Sequence, residues 1–183
     1  MNVEIRNDDV LQVTHLSQNQ KRLLKGTMFE MFLEADKVFG DYPCTLVIVA
    51  EGIESCPEWV EHIKKNLYRY KIELHGYYHH HFGRLTEEQG YEDLSKAMEL
   101  IENTFGVKPT TWYVPFGRKS MPEWGERVCK RLGIKLDVPT RKTLPVFWFR
   151  NINLKQINFH YWAKDQVELI KQIIDICQQE SIH

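Results

Sequence analysis

The sequence predicts an α/β fold of mainly parallel strands, a sheet or a barrel, in a single domain over residues 1–183. Three observations predict it. The apolar pattern switches repeatedly between the period of a strand and the period of a helix. Strand-like and helix-like stretches alternate almost throughout. One stretch, residues 45–50 (TLVIVA), is continuously apolar and β-branched, as a strand buried on both faces is.

The elements follow in order. Residues 2–6 alternate through Val3 and Ile5 and read as a strand. Residues 18–39 have helical spacing through Leu23, Leu24, Met28, Met31, Phe32, Ala35 and Phe39, with Gly26 as a break. Residues 45–50 form the next strand. Pro57 suits a first helical turn and opens a helix to Leu67. Residues 70–74 are a strand. Thr86 opens a helix with an acidic first turn that runs to about residue 104, where Gly106 ends it and Pro109 follows. Residues 110–114 are a strand, 115–120 a loop, and 122–132 a helix stopped by Gly133. Residues 134–137, 146–149 and 154–159 read as strands. The last helix, 164–177, carries Val167, Ile170, Ile174 and Cys177 on one face.

Composition narrows the partners. Lys plus Arg is 24 and Asp plus Glu is 25, a formal charge of -1, which argues against a nucleic-acid binder. No apolar run approaches the ~20 residues that span a bilayer, so no membrane partner is expected. Residues 1–9 are polar and lack a basic stretch followed by an apolar one, so no secretory signal is read here. Cys44, Cys56, Cys129 and Cys177 form no CxxC pair and are expected as reduced, mostly buried thiols. Both points favour a cytoplasmic location. The oligomeric state is left open.

In parallel α/β folds the reacting groups sit at the carboxyl ends of strands. After the first strand stand Asp8 and Asp9, whose repulsion a metal ion relieves, unless they are a turn or capping pair. After the third comes HGYYHHH, residues 75–81, with four of the eight histidines. His75 and His79 are four apart, which in a helical turn puts both imidazoles on one face, within reach of one metal. His80 and His81 read as supporting loop residues. His160 follows the last strand and is a core histidine unless partners join it. Residues 112–117 (WYVPFG) close a strand with a Pro/Gly turn suited to aiming backbone N–H groups at a site. Asp137 ends another strand. The aromatic content, 12%, suits both a core and stacking on sugar rings.

These pieces occur in the order found in the polysaccharide deacetylase superfamily, and the chain resembles a divergent member. Asn7-Asp8-Asp9-Val10 resembles the first motif, usually Phe-Asp-Asp-Gly. His75-Gly76-Tyr77-Tyr78-His79 is close to the second, His-Ser/Gly-x-x-His. Residues 41–52 look like the family's second strand, and 57–74 like the helix and strand after it. Residues 112–117 resemble the third motif, Phe-Arg-Pro-Pro-Tyr-Gly, and 157–161 the fifth, Leu-x-His. The resemblance implies a distorted (β/α) barrel of about seven mainly parallel strands. It implies one divalent metal held by Asp9, His75 and His79, zinc first, with cobalt, nickel, manganese and iron compatible. It also implies Asp8 as general base, His160 as general acid, the Phe116 backbone N–H as oxyanion donor, and Tyr113, Pro115 and Asp137 lining the substrate site.

Four positions depart from the pattern. Tyr113 stands where the family has the Arg that orients the base, and Val114 replaces the first Pro. Val10 replaces the Gly after the Asp pair, and Asp137 lacks the Trp that usually accompanies the fourth motif. Tyr113 hydrogen-bonds but carries no fixed charge, so Asp8 is expected to rely on the metal and hydrogen bonds alone. The implied activity is metal-dependent removal of an N-acyl group, acetyl first, from an amino sugar, an oligo- or polysaccharide, or a similar small molecule. Two rivals stand beside it: a non-catalytic, metal-holding carbohydrate-binding module, and a metal-dependent phosphoesterase, which usually needs ligands for two metals.

Overall fold

The first strand of the chain lies inside the sheet, between the second strand and the last. In the computed structural model, which describes residues 4–14, 16, 18–23, 26–137, 156–161 and 164–180, the elements run β1 Glu4–Val10, α1 Gln18–Leu23, α2 Met28–Phe39, β2 Cys44–Val49, α3 Glu51–Ser55, α4 Pro57–Lys65, β3 Tyr70–Gly76, α5 Glu87–Phe105, β4 Thr111–Tyr113, α6 Gly125–Leu132, β5 Lys135–Asp137, β6 Gln156–His160 and α7 Lys164–Glu180. Six strands pair in the order β5-β4-β3-β2-β1-β6. Every pairing is parallel, so all the carboxyl ends lie at one edge. The α/β fold of parallel strands is therefore as expected. The predicted strand at 146–149 lies outside the described residues.

The sheet is strongly curled. Four strand spacings, roughly 19 Å in a flat sheet, would separate β1 from β5. Yet Nη1 of Arg6 on β1 reaches Oδ2 of Asp137 on β5 at 3.4 Å. The concave side therefore closes on itself as a barrel interior does, and its polar side chains meet near the carboxyl ends.

Local sequence explains the element ends. Thr27 and Thr86 each make a capping box, with Glu30 and Gln89 respectively. Gly106 and Gly133 end α5 and α6 in the left-handed conformation. Residues 18–39 divide into α1 and α2 around Gly26, as read from the sequence. Helix α3 was not read: five residues are too few to show a period.

Helices cover the outer face through two aromatic clusters. Phe32 of α2, Trp59 of α4 and Tyr161 after β6 meet with ring centroids 5.2 to 5.8 Å apart. Phe82, Trp112 and Trp124 form the second, with Trp112 and Trp124 stacked at 6.1 Å. These rings belong to the core; among the described residues Phe116, at 50% exposure, is one aromatic open to solvent. Cys44, Cys56 and Cys129 are free thiols, and burial pushes Cys44 up out of reach of ionisation near neutral pH. Among the described residues no helix is long and apolar enough to cross a membrane.

Candidate active site

The site begins with a strand that breaks its own alternation. Successive residues of a strand point to opposite faces, so two neighbouring aspartates would normally diverge. β1 extends past the predicted end and carries both Asp8 and Asp9, with its register to β2 shifting between Asn7 and Val10. Asp9 has a positive φ of 63°, uncommon for a residue other than glycine. The bulge lets Asp8 keep the strand direction while Asp9 turns to the carboxyl edge. Strained backbone of this kind gathers at functional sites.

The two histidines meet there by a route other than the helical turn that the sequence suggested. His75 lies within β3, and His79 in the loop beyond. Gly76, at φ 121°, reverses the chain where a Cβ would come within 2.9 Å of both the Phe82 ring and the Tyr78 carbonyl. Asp93 on α5 then holds the loop. Its carboxylate accepts the Tyr77 N–H at 2.7 Å and the Tyr78 N–H at 3.3 Å. From the other side, the backbone N–H groups of Ala50 and Glu51 donate to the carbonyls of Gly76 and Tyr77 at 3.0 and 2.9 Å.

Held so, His75 Nε2 lies 3.2 Å and His79 Nε2 3.0 Å from one oxygen, Oδ1 of Asp9. All three residues are buried, and their ligand atoms lie within 4.8 Å of one another. His75 Nδ1 contacts the Tyr113 carbonyl oxygen at 2.6 Å, and as that oxygen only accepts, Nδ1 carries the proton. Nε2 is therefore the His75 nitrogen that faces Asp9, and with His79 Nε2 it converges on one carboxylate oxygen, as ligands do around a cation. The donor set, one carboxylate and two imidazoles with the second ring nitrogen of His75 tied to a carbonyl, fits a divalent ion of the zinc kind.

Burial alone would push the Asp9 carboxyl up. The imidazoles of His79 and His160, with hydrogen bonds from His75 and His79, outweigh it and hold Asp9 well below the usual carboxylate range. Three residues that the sequence reading missed add to its setting. Gln20 of α1 donates to Asp9 Oδ2 at 3.2 Å and to Gln12 Oε1 at 2.7 Å. The Tyr161 hydroxyl donates to the Asp9 carbonyl at 3.2 Å. Burial and the nearby Asp9 charge push that phenol well above its ordinary range.

His160 ends β6 beside Asp8, its partner in the parallel register. Its Nε2 lies 3.7 Å from Asp9 Oδ2, on the side away from the other histidines. Its backbone N–H donates to Gln166 Oε1 at 2.9 Å, and its Nδ1 meets the same oxygen at 3.3 Å, which leaves Nε2 for the site. Gln166 was missed too, six residues downstream with no motif to mark it.

Asp8 is where the sequence reading needs correction. Rather than relying on a metal and hydrogen bonds alone, its buried carboxylate takes a two-point contact from Arg6: Nε to Oδ1 at 2.8 Å and Nη2 to Oδ2 at 3.0 Å. Tyr113, expected beside the base as a hydrogen-bonding substitute, lays its ring against the Arg6 guanidinium, 4.3 Å from centroid to Cζ. Asp137, expected at the substrate, meets Arg6 instead. The reason is the curl of the sheet, which carries β4 and β5 around to face β1, a contact no local pattern foretells. Burial would lower the Arg6 pKa, but the carboxylates of Asp8 and Asp137 outweigh it and raise it.

Pro115 is buried at the turn after β4. Phe116 follows at φ 60°, its ring edge-on to His79 at 4.5 Å and stacked near His81 at 5.9 Å. Its backbone N–H has no acceptor among the described residues. His81 thus buttresses Phe116, and His80 turns toward Tyr78 at 5.1 Å, away from the convergent histidines.

Comparisons with known proteins agree in fold. A family 4 carbohydrate esterase from Streptomyces lividans, solved with acetate, is 16% identical, with a TM-score of 0.68 over 97% of this chain and 88% of that one. The peptidoglycan deacetylase PdaC from Bacillus subtilis is 13% identical, with a TM-score of 0.66 over 97% and 84%. A CE4 family pseudoenzyme from Bacillus anthracis is 11% identical, with a TM-score of 0.66 over 97% of this chain. This chain spans about 60% of that pseudoenzyme's length. No curated protein matches the sequence. The family profile described as polysaccharide deacetylase matches residues 40–136, a little over half of the chain, from before β2 into β5. With that match, the chain belongs to the polysaccharide deacetylase family.

Proposed function

We propose that the protein is a metal-dependent hydrolase that removes an N-acyl group, acetyl first, from an amino sugar or a related carbohydrate. The observation that carries this reading is the convergence of two imidazole nitrogens on one buried carboxylate oxygen, with a second carboxylate and a third imidazole beside them. Asp9, His75 and His79 would hold one divalent ion. Bound there, such an ion supplies Lewis acidity to a carbonyl and lowers the pKa of a water molecule.

The chain's own residues do the rest. Asp8, gripped at both oxygens by Arg6, accepts the proton of the attacking water. The Phe116 N–H offers a fixed donor to the oxygen that gains charge as the carbonyl is attacked. His160, with Nδ1 fixed by Gln166, gives a proton from Nε2 to the leaving amine. Base and acid stand on adjacent strands but in different settings, Asp8 enclosed by a guanidinium and His160 partly open to solvent. Phe116, exposed beside His79, offers a ring face to a sugar.

The test is acetate release from acetylated chito-oligosaccharides, with and without added divalent metal, alongside metal analysis. The expected result is metal-dependent release at a stoichiometry near one. Asp8→Asn is expected to keep the metal and lose about 10²- to 10⁴-fold in rate. Metal uptake without release would favour the non-catalytic module, and a stoichiometry near two the phosphoesterase.

A further inference from the structure

We propose that Arg6 is the positioning residue of Asp8, a fixed positive charge supplied from β1, with Tyr113 serving as the stacking surface that keeps it in place. The inference rests on the reading of Asp8 as the base. Arg6 and Asp8 are two residues apart on one strand, so their side chains leave the same face. Both contacts between them involve the planar edge of the guanidinium and both carboxylate oxygens, at 2.8 and 3.0 Å. That fork fixes the carboxylate's rotation, which a single donor does not.

The guanidinium is itself held. Arg6 is 2% exposed. Its third edge points to Asp137 Oδ2 at 3.4 Å, and its face is covered by the Tyr113 ring at 4.3 Å. Tyr113 and Asp137 are direct partners in the β4–β5 ladder, so one register places both against Arg6. A side chain at position 113 already touches the Arg6 guanidinium. An arginine at 113 would therefore reach the space that Arg6 fills once Arg6 is shortened. Positions 6 and 113 are exchangeable sources of one charge.

The test exchanges them. Arg6→Leu is expected to lower kcat about 100-fold, the scale of a reacting group displaced by ~1 Å, with KM within about threefold and metal content unchanged. Arg6→Lys, which keeps the charge but not the fork, is expected to recover little of the loss. Arg6→Leu with Tyr113→Arg is expected to recover at least about tenfold. The proposal is overturned if Arg6→Leu stays within about threefold of the parent, if its loss follows lost metal, or if the exchange recovers nothing.

A second arm does not need turnover. In urea unfolding, the Arg6→Leu and Asp8→Asn single variants and their double variant are expected to be non-additive, the double costing no more than the worse single. Additive costs overturn the pairing whatever the activity. Should the parent release no acetate while the cycle is non-additive, the deacetylase reading fails and the Arg6–Asp8 pairing stands. If Arg6→Leu does not fold, Arg6→Lys carries both arms.

Discussion

At the scale of the residue, the candidate site owes its shape to groups outside the trio of Asp9, His75 and His79. His75 is oriented by a carbonyl on β4, Asp9 by Gln20, and His160 by Gln166. Partners of this kind typically alter metal affinity by about 10- to 100-fold. Gln20→Leu is therefore expected to weaken zinc binding by about that factor, measured by competition with a chromophoric chelator. Asp9→Ala, His75→Ala and His79→Ala are each expected to abolish most binding, and His80→Ala to leave it nearly unchanged. A Gln20→Leu variant that binds as tightly as the parent would show the amide to be a packing residue. The difference between what the sequence disclosed and what it hid is physical. Asp8, Asp9, His75 and His79 are chemically unusual neighbours, so spacing singles them out. Gln12, Gln20 and Gln166 are ordinary polar residues on short or amphipathic segments, and only the folded chain gives them a target. Arg6 sat in plain view inside a predicted strand, and nothing local distinguishes an inward guanidinium from an outward one.

At the scale of the element, the loop from Gly76 to His79 is pinned by a helix. The Asp93 carboxyl is pushed up to about 6, chiefly by burial, with the N–H groups of Tyr77 and Tyr78 pulling the other way. A carboxyl raised in the folded state binds its proton more readily there than in the unfolded chain. Its contribution to stability is thus greatest below the ordinary value near 3.8 and is lost as the pH rises toward about 6. Asparagine does not titrate, so the stability of Asp93→Asn relative to the parent is expected to rise between pH 4 and 6. Urea midpoints across that range measure it, and a constant gap would remove Asp93 from the pH response. Most elements were legible for related reasons. Thr86 and Gly106 bracket α5, and the β-branched run of β2 could only be a buried strand. β1 was read too short because Asn7, Asp8 and Asp9 look like a polar turn. Asp8 is buried beside Arg6 on the concave side of a curled sheet, where polarity no longer signals solvent.

At the scale of the whole molecule, strands far apart in sequence lie side by side. β1 pairs with β2 on one flank and with β6 on the other, and Asp8 faces His160 across a sequence gap of some 150 residues. That arrangement has a consequence in time. During synthesis β1 is made well before β6. Until residues 156–160 arrive, β1 offers a bare backbone edge on that flank, and Asp8 lacks its neighbour His160. Pairings so distant in sequence form slowly and leave such edges open to strangers. A chain stopped at residue 150 is accordingly expected to aggregate or bind a hydrophobic dye where the full chain does not, as light scattering and dye fluorescence would register. The separate addition of a peptide carrying residues 151–183 is expected to reduce both signals. If the shortened chain scatters no more light and binds no more dye than the full chain, the last strand is an ornament to the sheet; otherwise β1 stays exposed to other chains until its closing strand has been delivered.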